Sequence, residues 1–577
     1  VNTLPSAVQR RRRLVTRALP LTIVAVVAFV LGASAGAPGS PDKDAAQRFA
    51  DAWTGREFAA MYRELNEESR AAIDEKEFVA KYREAAEVAT LRSLSAGSAG
   101  DPTTKNGRTV VPVPVEAGTV AFGTVDADLD LPYADGGIDW DPSLVFPGLE
   151  PGEQVENRVD LAPRAPIFAR DGTALAEGPA DAREHPLGSA AIDVTGEVGM
   201  ASEEEEAVLA RHGFPPETPV GISGVEQAFN SRLAGKPGGS LLAVAGKGGS
   251  ARIIAQSKPQ PGAPVKTTID PTLQQTAVSG LAGRAGGVAA LDARSGDVRA
   301  LAGQAFSAPQ PPGSTFKTVT TTAALEKGVV SLDDEFELTD GVDVGGRFIS
   351  NANGEVCGGT FREAFAESCN ADFAPLGPKI GNDDLVATAE KFGFNSLPTI
   401  YAKRIVEAVE PLESSIPKEI GDELDLGVSA IGQGEVLATP LQMATVAQTI
   451  GNDGVREPTS LVLNRKLRPE MKPVRAMSKQ TASELTELMI GVVTGGTGTA
   501  AAIPQAQVAG KTGTAELGPK PGQEGSENPE QIKDAWFAAF APAEKARLAV
   551  GVLLVEAEAA GGEVAAPIAA EVLSAGL

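Results

Sequence analysis

Ser314-Thr315-Phe316-Lys317 follows a Pro/Gly-rich stretch (Pro309, Pro311, Pro312, Gly313) and opens a helical pattern that runs to Gly328. This spacing sets a hydroxyl at the positive end of a helix and an amine one turn later on the same face. A serine needs a base to become a nucleophile at neutral pH, and an amine with a depressed pKa can take its proton. The same spacing recurs at Ser40-Pro41-Asp42-Lys43 and Ser415-Ile416-Pro417-Lys418, where an internal proline argues against a continuous helical face. Taken alone, Ser314 reads first as an ordinary helix N-cap.

Composition narrows the chemistry. The chain has only two histidines, His185 and His212, both far from Ser314 in sequence, so a Ser-His-Asp arrangement has little to draw on and a lysine is favoured as base. No His/Cys cluster has zinc spacing, and no GxxxxGK[ST] phosphate loop occurs, so neither a metal nor a cofactor is expected. A net charge of −25, with no basic stripe beyond the N-terminus, argues against a nucleic-acid surface.

The elements that position these residues begin with a tether. Arg10 to Arg13 and Arg17 precede Ala18 to Ala37, a run without charge that spans about 30 Å as a helix, enough for a bilayer core. The basic side stays in the cytoplasm, which places everything from Pro38 outside it. Ala33-Ser34-Ala35 also fits a signal-peptidase site, so a cleaved leader is the alternative. In that oxidising setting Cys357 and Cys369, twelve residues apart, read as a disulfide that stabilises by roughly 3 kcal/mol, the alternative being two buried thiols.

Helical spacing marks Ala46, Phe49 and Trp53, then Phe58, Met61, Tyr62 and Leu65, then Phe78 and Tyr82. After a Gly/Ser/Asp linker the period becomes that of strands: Val111, Val113, Val115; Val120, Phe122, Val125; Leu129, Leu131. Residues 151–262 are irregular, with a charge run, Glu203 to Glu206, that reads as a solvated helix face. From Val265 the pattern sharpens. Val288 to Asp292 and Val298 to Ala302 predict a hairpin, Thr439-Pro440-Leu441-Gln442 a capping box, and 508–515, 535–540 and 548–555 a final set of strands. The expected architecture is multidomain α+β: an N-terminal basic segment and transmembrane helix (1–40), a small α+β domain (41–150), a β-rich pedestal (151–262), and a domain with an antiparallel five-stranded sheet flanked by helices (263–577).

Two more motifs stand in order behind the first: Ser368-Cys369-Asn370, at the end of a helical stretch from Phe361 to Glu367, and Lys511-Thr512-Gly513-Thr514-Ala515-Glu516, on a predicted strand. Ser526-Glu527-Asn528 repeats the middle pattern but lies in a Gly/Pro/Glu-rich loop. With these three motifs the chain resembles the penicillin-binding proteins, whose signature is S-x-x-K, an S-x-N-type element and K-T-G in that order. Val265-Lys266-Thr267-Thr268-Ile269-Asp270, Gly432-Gln433-Gly434, Thr439 to Ala444 and Ala535-Trp536-Phe537 extend the resemblance. Gly224-Val225-Glu226 with Leu233-Ala234-Gly235 looks like the family's pedestal or dimerisation domain, and Trp140 to Ser143 with Phe146-Pro147 like the nuclear-transport-factor-like domain of low-affinity class B members. Arg164-Ala165-Pro166-Ile167 resembles the opening of the pedestal but carries alanine where glycine is usual.

The resemblance implies a β-lactamase/transpeptidase-like fold and a class B D,D-transpeptidase that cross-links peptidoglycan stem peptides. It implies that Ser314 forms the acyl-enzyme and Lys317 is its base, that Ser368 relays a proton, and that Asn370 holds the donor's amide. Lys511, Thr512, Gly513 and Thr514 are then expected around the substrate carboxylate, with the amides of Ser314 and Thr514 as oxyanion donors. Expected partners are D-Ala-D-Ala stem peptides, β-lactams acting as their mimics, the cytoplasmic membrane, and a glycosyltransferase or other cell-wall synthesis proteins. A D,D-carboxypeptidase, a β-lactam-hydrolysing enzyme and a non-catalytic scaffold are the alternatives.

Overall fold

The structure, a computed structural model, describes residues 40–105, 107–246, 249–398, 400, 412–468, 470–523 and 531–577. The apolar run Ala18 to Ala37 and the decoy triplet at Ser526 lie outside them. Among the described residues no helix is long and apolar enough to cross a membrane. The chain divides into two compact units, one of residues 1–160, 211–213 and 237–258, the other of 161–210, 214–236 and 259–577.

In the first unit, helices Pro41–Thr54, Phe58–Arg63, Glu67–Ala72 and Glu75–Val88 precede a five-stranded antiparallel sheet. Asn66 and Asp74 cap two of these helices by accepting from the amides of Ser69 and Glu77. The apolar stripe read from spacing is the packing face: Ala46, Phe49, Trp53, Met61, Phe78 and Tyr82 are all buried. Strands Arg108–Thr119 and Thr124–Ala134 pair Val111 with Leu131 and Val113 with Leu129, so alternate residues face the helices. Val120 and Phe122, expected within a strand, sit in the turn between these two. Phe122 donates its amide to Thr119 Oγ1 and is itself fully buried, so an apolar turn mimics strand period. Strands Glu153–Asp160, Gly238–Ala245 and Ala251–Ser257 form a three-stranded sheet in this unit, so residues 151–262 are distributed over both units.

In the second unit, residues 161–210 and 214–236 build short elements around a buried ion trio. Glu226 is fully buried and receives Arg164 Nε at 2.6 Å and Arg183 Nε at 2.7 Å. The helix Glu203–Arg211 carries the charge run on its largely solvated side.

The rest of this unit is built on one antiparallel sheet. α1 (Pro271–Leu281) leads into β1 (Gly286–Asp292) and β2 (Val298–Gly303), the hairpin expected from sequence, with Val288 opposite Ala302. Helices α2 (Lys317–Lys327), α3 (Phe361–Glu367), α4 (Pro440–Gly451) and α5 (Lys479–Thr494) follow. The chain then returns to the sheet with β3 (Ala509–Pro519), β4 (Gln531–Ala541) and β5 (Leu548–Leu554) before α6 (Ala566–Gly576). The strand order is β2-β1-β5-β4-β3, which joins the two distant halves at β1 and β5 and leaves β3 at an edge.

Both faces of this sheet are buried, which is why its strands read as continuous apolar runs. Ala535, Phe537 and Ala539 of β4 pack with Leu273 and Val572, while Trp536, Ala538 and Phe540 pack into the opposite core with Val319, Phe365 and Val446. α4 is buried over Pro440 to Ile450. It lies against β5 so closely that a Cβ on Gly551 would stand 2.2 Å from the Pro440 carbonyl oxygen. The expected capping box at its start is half formed. Thr439 Oγ1 accepts from the Gln442 amide, but the Gln442 side chain donates to the Phe392 carbonyl. The complete box belongs to Thr360 and Glu363, at the start of α3.

Candidate active site

The Ser314 motif is a 3₁₀ turn, Gly313–Phe316, that runs directly into α2, so Ser314 is not an N-cap. From Pro312 to Ala324 every residue is buried except Ser314. Gly313 has φ +51, donates its amide to the Gly432 carbonyl at 2.9 Å, and has no room for a side chain, since a Cβ there would meet the Thr514 carbonyl oxygen at 2.6 Å. Gly513 abuts the Pro312 carbonyl in the same way, its would-be Cβ 2.7 Å from that oxygen. The turn bearing Ser314 is therefore pressed against the K-T-G part of β3.

Lys317 has no exposed surface. Its Nζ donates to the Ser368 carbonyl at 2.7 Å, to Asn370 Oδ1 at 2.8 Å and, at 3.4 Å, to Ser368 Oγ. These bonds run to the second motif rather than to Ser314. Ser368 ends α3 in the left-handed conformation, φ 64, which turns its carbonyl and hydroxyl toward the amines. Asn370 opens the next turn and donates Nδ2 to the Ser350 carbonyl, which fixes its amide. Cys369, between them, is disulfide-bonded to Cys357 at the start of the strand Cys357–Thr360, which ties this loop to a second element.

Lys511 on β3 is also fully buried and donates to Ser368 Oγ at 2.7 Å. One hydroxyl thus accepts from two amines and keeps its own proton to donate. Burial, and secondarily the Lys511 charge, holds Lys317 well below the ordinary lysine range, while Asp372 pulls the other way. Burial lowers Lys511 to about 7. Aromatic faces replace part of the lost hydration: Lys317 Nζ is 5.1 Å from the Phe373 ring centre and Lys511 Nζ 5.6 Å from that of Phe365.

Thr512 Oγ1 lies 2.7 Å from Thr497 Oγ1, which also donates to the Ala366 carbonyl at 3.3 Å. Thr514 Oγ1 accepts a long bond from the Gly561 amide at 3.5 Å. All eight residues expected at the site from the three motifs are thus gathered at one place, from three separate stretches of the chain. Sequence reasoning missed four neighbours: Asp372, Thr497 and the two aromatic rings. Asp372 is buried, its Oδ2 has no hydrogen-bond partner among the described residues, and burial raises its carboxyl to about 6 against the pull of Lys317. It stands two residues past Asn370, and the need of a buried lysine for an opposite charge was the signal that could have found it.

The fold and site together set a serine and two buried lysines against an antiparallel sheet flanked by helices. The chain belongs to the penicillin-binding proteins. Residues 286–574 match the penicillin-binding protein transpeptidase domain, 178–267 the dimerisation domain, and 41–153 the NTF2-like N-terminal transpeptidase domain. It is 37% identical over 301 residues to the peptidoglycan D,D-transpeptidase PbpA of Mycolicibacterium smegmatis, an alignment covering 48% of this chain and 57% of that one. The chain thus spans little more than half the length of that relative. Penicillin-binding protein 3 of Bacillus subtilis is 22% identical, over 91% of this chain and 94% of its own. Among solved structures, penicillin-binding protein A from M. tuberculosis as a ceftriaxone acyl-enzyme superposes with a TM-score of 0.56 at 28% identity, covering 72% of this chain and 98% of that one.

Proposed function

We propose that this protein is a D,D-transpeptidase that cross-links peptidoglycan stem peptides through an ester on Ser314 and is acylated by β-lactams at the same oxygen. The observation that carries this reading is the one half-buried side chain of an otherwise buried segment, Ser314, on the element whose Lys317 shares Ser368 Oγ with Lys511. Ser314 Oγ attacks the carbonyl carbon of the penultimate D-Ala while its proton passes to the neutral amine of Lys317. The peptide C–N bond then breaks, and the leaving nitrogen takes a proton through Ser368 Oγ, which Lys317 and Lys511 resupply. The amine of a second stem peptide attacks the ester, forms the cross-link and restores the Ser314 hydroxyl. Lys511, with Thr512 and Thr514 on either side of Gly513, offers a cation and hydroxyls to the terminal carboxylate of the donor. Asn370 orients the donor's amide.

In the same proposal residues 1–40 tether the chain to the cytoplasmic membrane with the catalytic domain outside, 41–150 and 151–262 are the nuclear-transport-factor-like and pedestal domains, and 263–577 carry the chemistry. The test is labelling with fluorescent penicillin and intact-mass measurement on wild type and Ser314→Ala. One adduct per wild-type chain and none on the variant is expected, and folded wild type that takes no label sinks the reading. Partition of a D-Ala-D-Ala-type thioester between water and an added D-amino acid separates transpeptidation from hydrolysis, with amide product expected to exceed free acid.

A further inference from the structure

Away from Ser314, a small cavity of about 30 Å³ that opens to solvent is lined by Arg456, Gln442, Glu457 and Lys472. One water needs about 10–15 Å³ by this measure, so the cavity admits a group the size of a single oxyanion. Arg456 Nε is shielded from solvent with no hydrogen-bond partner, and its guanidinium makes no hydrogen bond or ion pair among the described residues. The other well-shielded arginines behave differently. Arg164, Arg183 and Arg299 each hold a carboxylate, at 2.6, 2.7 and 2.8 Å. A guanidinium partly withdrawn from water without an anion loses part of its hydration with no opposite charge to offset the loss.

The surroundings favour an anion from outside. The carboxylate that lines the cavity, Glu457, accepts from Asn452 Nδ2 at 3.5 Å and makes no ion pair with Arg456. Lys472 adds a second, exposed cation. Gly393 makes room for the guanidinium, since a Cβ there would fall 2.6 Å from Arg456 Nη1. Exposed Leu397 offers apolar surface on the lining. We infer that this cavity binds the oxyanion of a small organic molecule, a carboxylate or a phosphate, with Arg456 as its principal contact and Lys472 as an auxiliary charge. The inference is independent of the acyl-transfer reading.

Calorimetric titration of the full chain with inorganic phosphate and with N-acetyl-D-alanine tests it and separates the two sources of the oxyanion. Because the cleft also holds two amines, the contribution of this cavity is the difference between wild type and Arg456→Gln. Saturable binding of at least one probe is expected, weakened about tenfold or more in Arg456→Gln, as befits loss of a charge-assisted fork. Lys472→Ala, a change at an exposed position, should weaken it by a few fold and flatten its salt dependence. If Arg456→Gln does not fold, the Lys472→Ala result decides. Failure of both probes to bind wild type, or binding unchanged in the variants that fold, overturns the proposal.

Discussion

Two of the places where the second unit buries charge treat it in opposite ways. Around Glu226 every charge is answered, with two guanidinium groups on one carboxylate and neither side left unpaired. Around Ser368 two lysines of like charge are fully buried, with hydroxyl, carbonyl and amide oxygens for partners and no carboxylate within ion-pair distance among the described residues. The first arrangement pairs opposite charges and contributes geometry. The second keeps two amines whose hold on a proton is weakened by burial, the condition that the proposed base at Lys317 requires.

The comparison can be broken at either end. The largest effect is expected from Lys317→Met, which removes the proposed base. Second-order acylation by penicillin should fall by about 10³-fold or more, within the range of general-base contributions, while the melting temperature holds or rises. A fall in stability would show that Lys317 is structural in the way Glu226 is. Glu226→Gln should do the reverse. Leaving two buried guanidinium groups without their carboxylate costs about 3–5 kcal/mol in denaturant unfolding, with acylation per folded molecule unchanged.

The next effect is in pH. Lys511 has a pKa of about 7 when folded, against roughly 10.4 for a free lysine side chain. Between these values the unfolded chain binds a proton that the folded chain does not, so stability rises with pH across the window and the penalty for burial is greatest below pH 7. Lys511→Met should therefore stabilise the fold at pH 6 by something on the order of 3 kcal/mol and by little at pH 10. A gain that is constant with pH would mean that methionine merely packs better.

The smallest effect is expected at Asp372, whose charge favours the protonated form of Lys317. Asp372→Asn should move the acid limb of the acylation rate profile to lower pH, by less than about one unit. A shift in the other direction would remove Asp372 from the electrostatics of the site.

Much of this was legible beforehand because it depends on local order. The Ser314 turn, the end of α3 at Ser368, the hairpin of β1 and β2 and the strand under Lys511 each follow from spacing, a stop signal or period within one short segment. The misreadings have local causes too. Phe122 is apolar and buried yet lies in a turn, and Gln442 had a nearby capping role available but reaches across to Phe392. Residues 151–262 read as one stretch because nothing in their composition reveals that three of their strands pair within the first unit.

The sequence by itself determined which side chains could do chemistry, by withholding histidines and supplying a serine, two lysines and an asparagine in ordered motifs. Only the tertiary structure decided how they are used. It directs Lys317 toward Ser368 and Asn370, sets both amines on one hydroxyl, and supplies Asp372 and two aromatic rings that no motif contains. The physical reason is that a pKa depends on desolvation and on charges a few ångströms away, and those distances arise only when α2, α3 and β3 pack together.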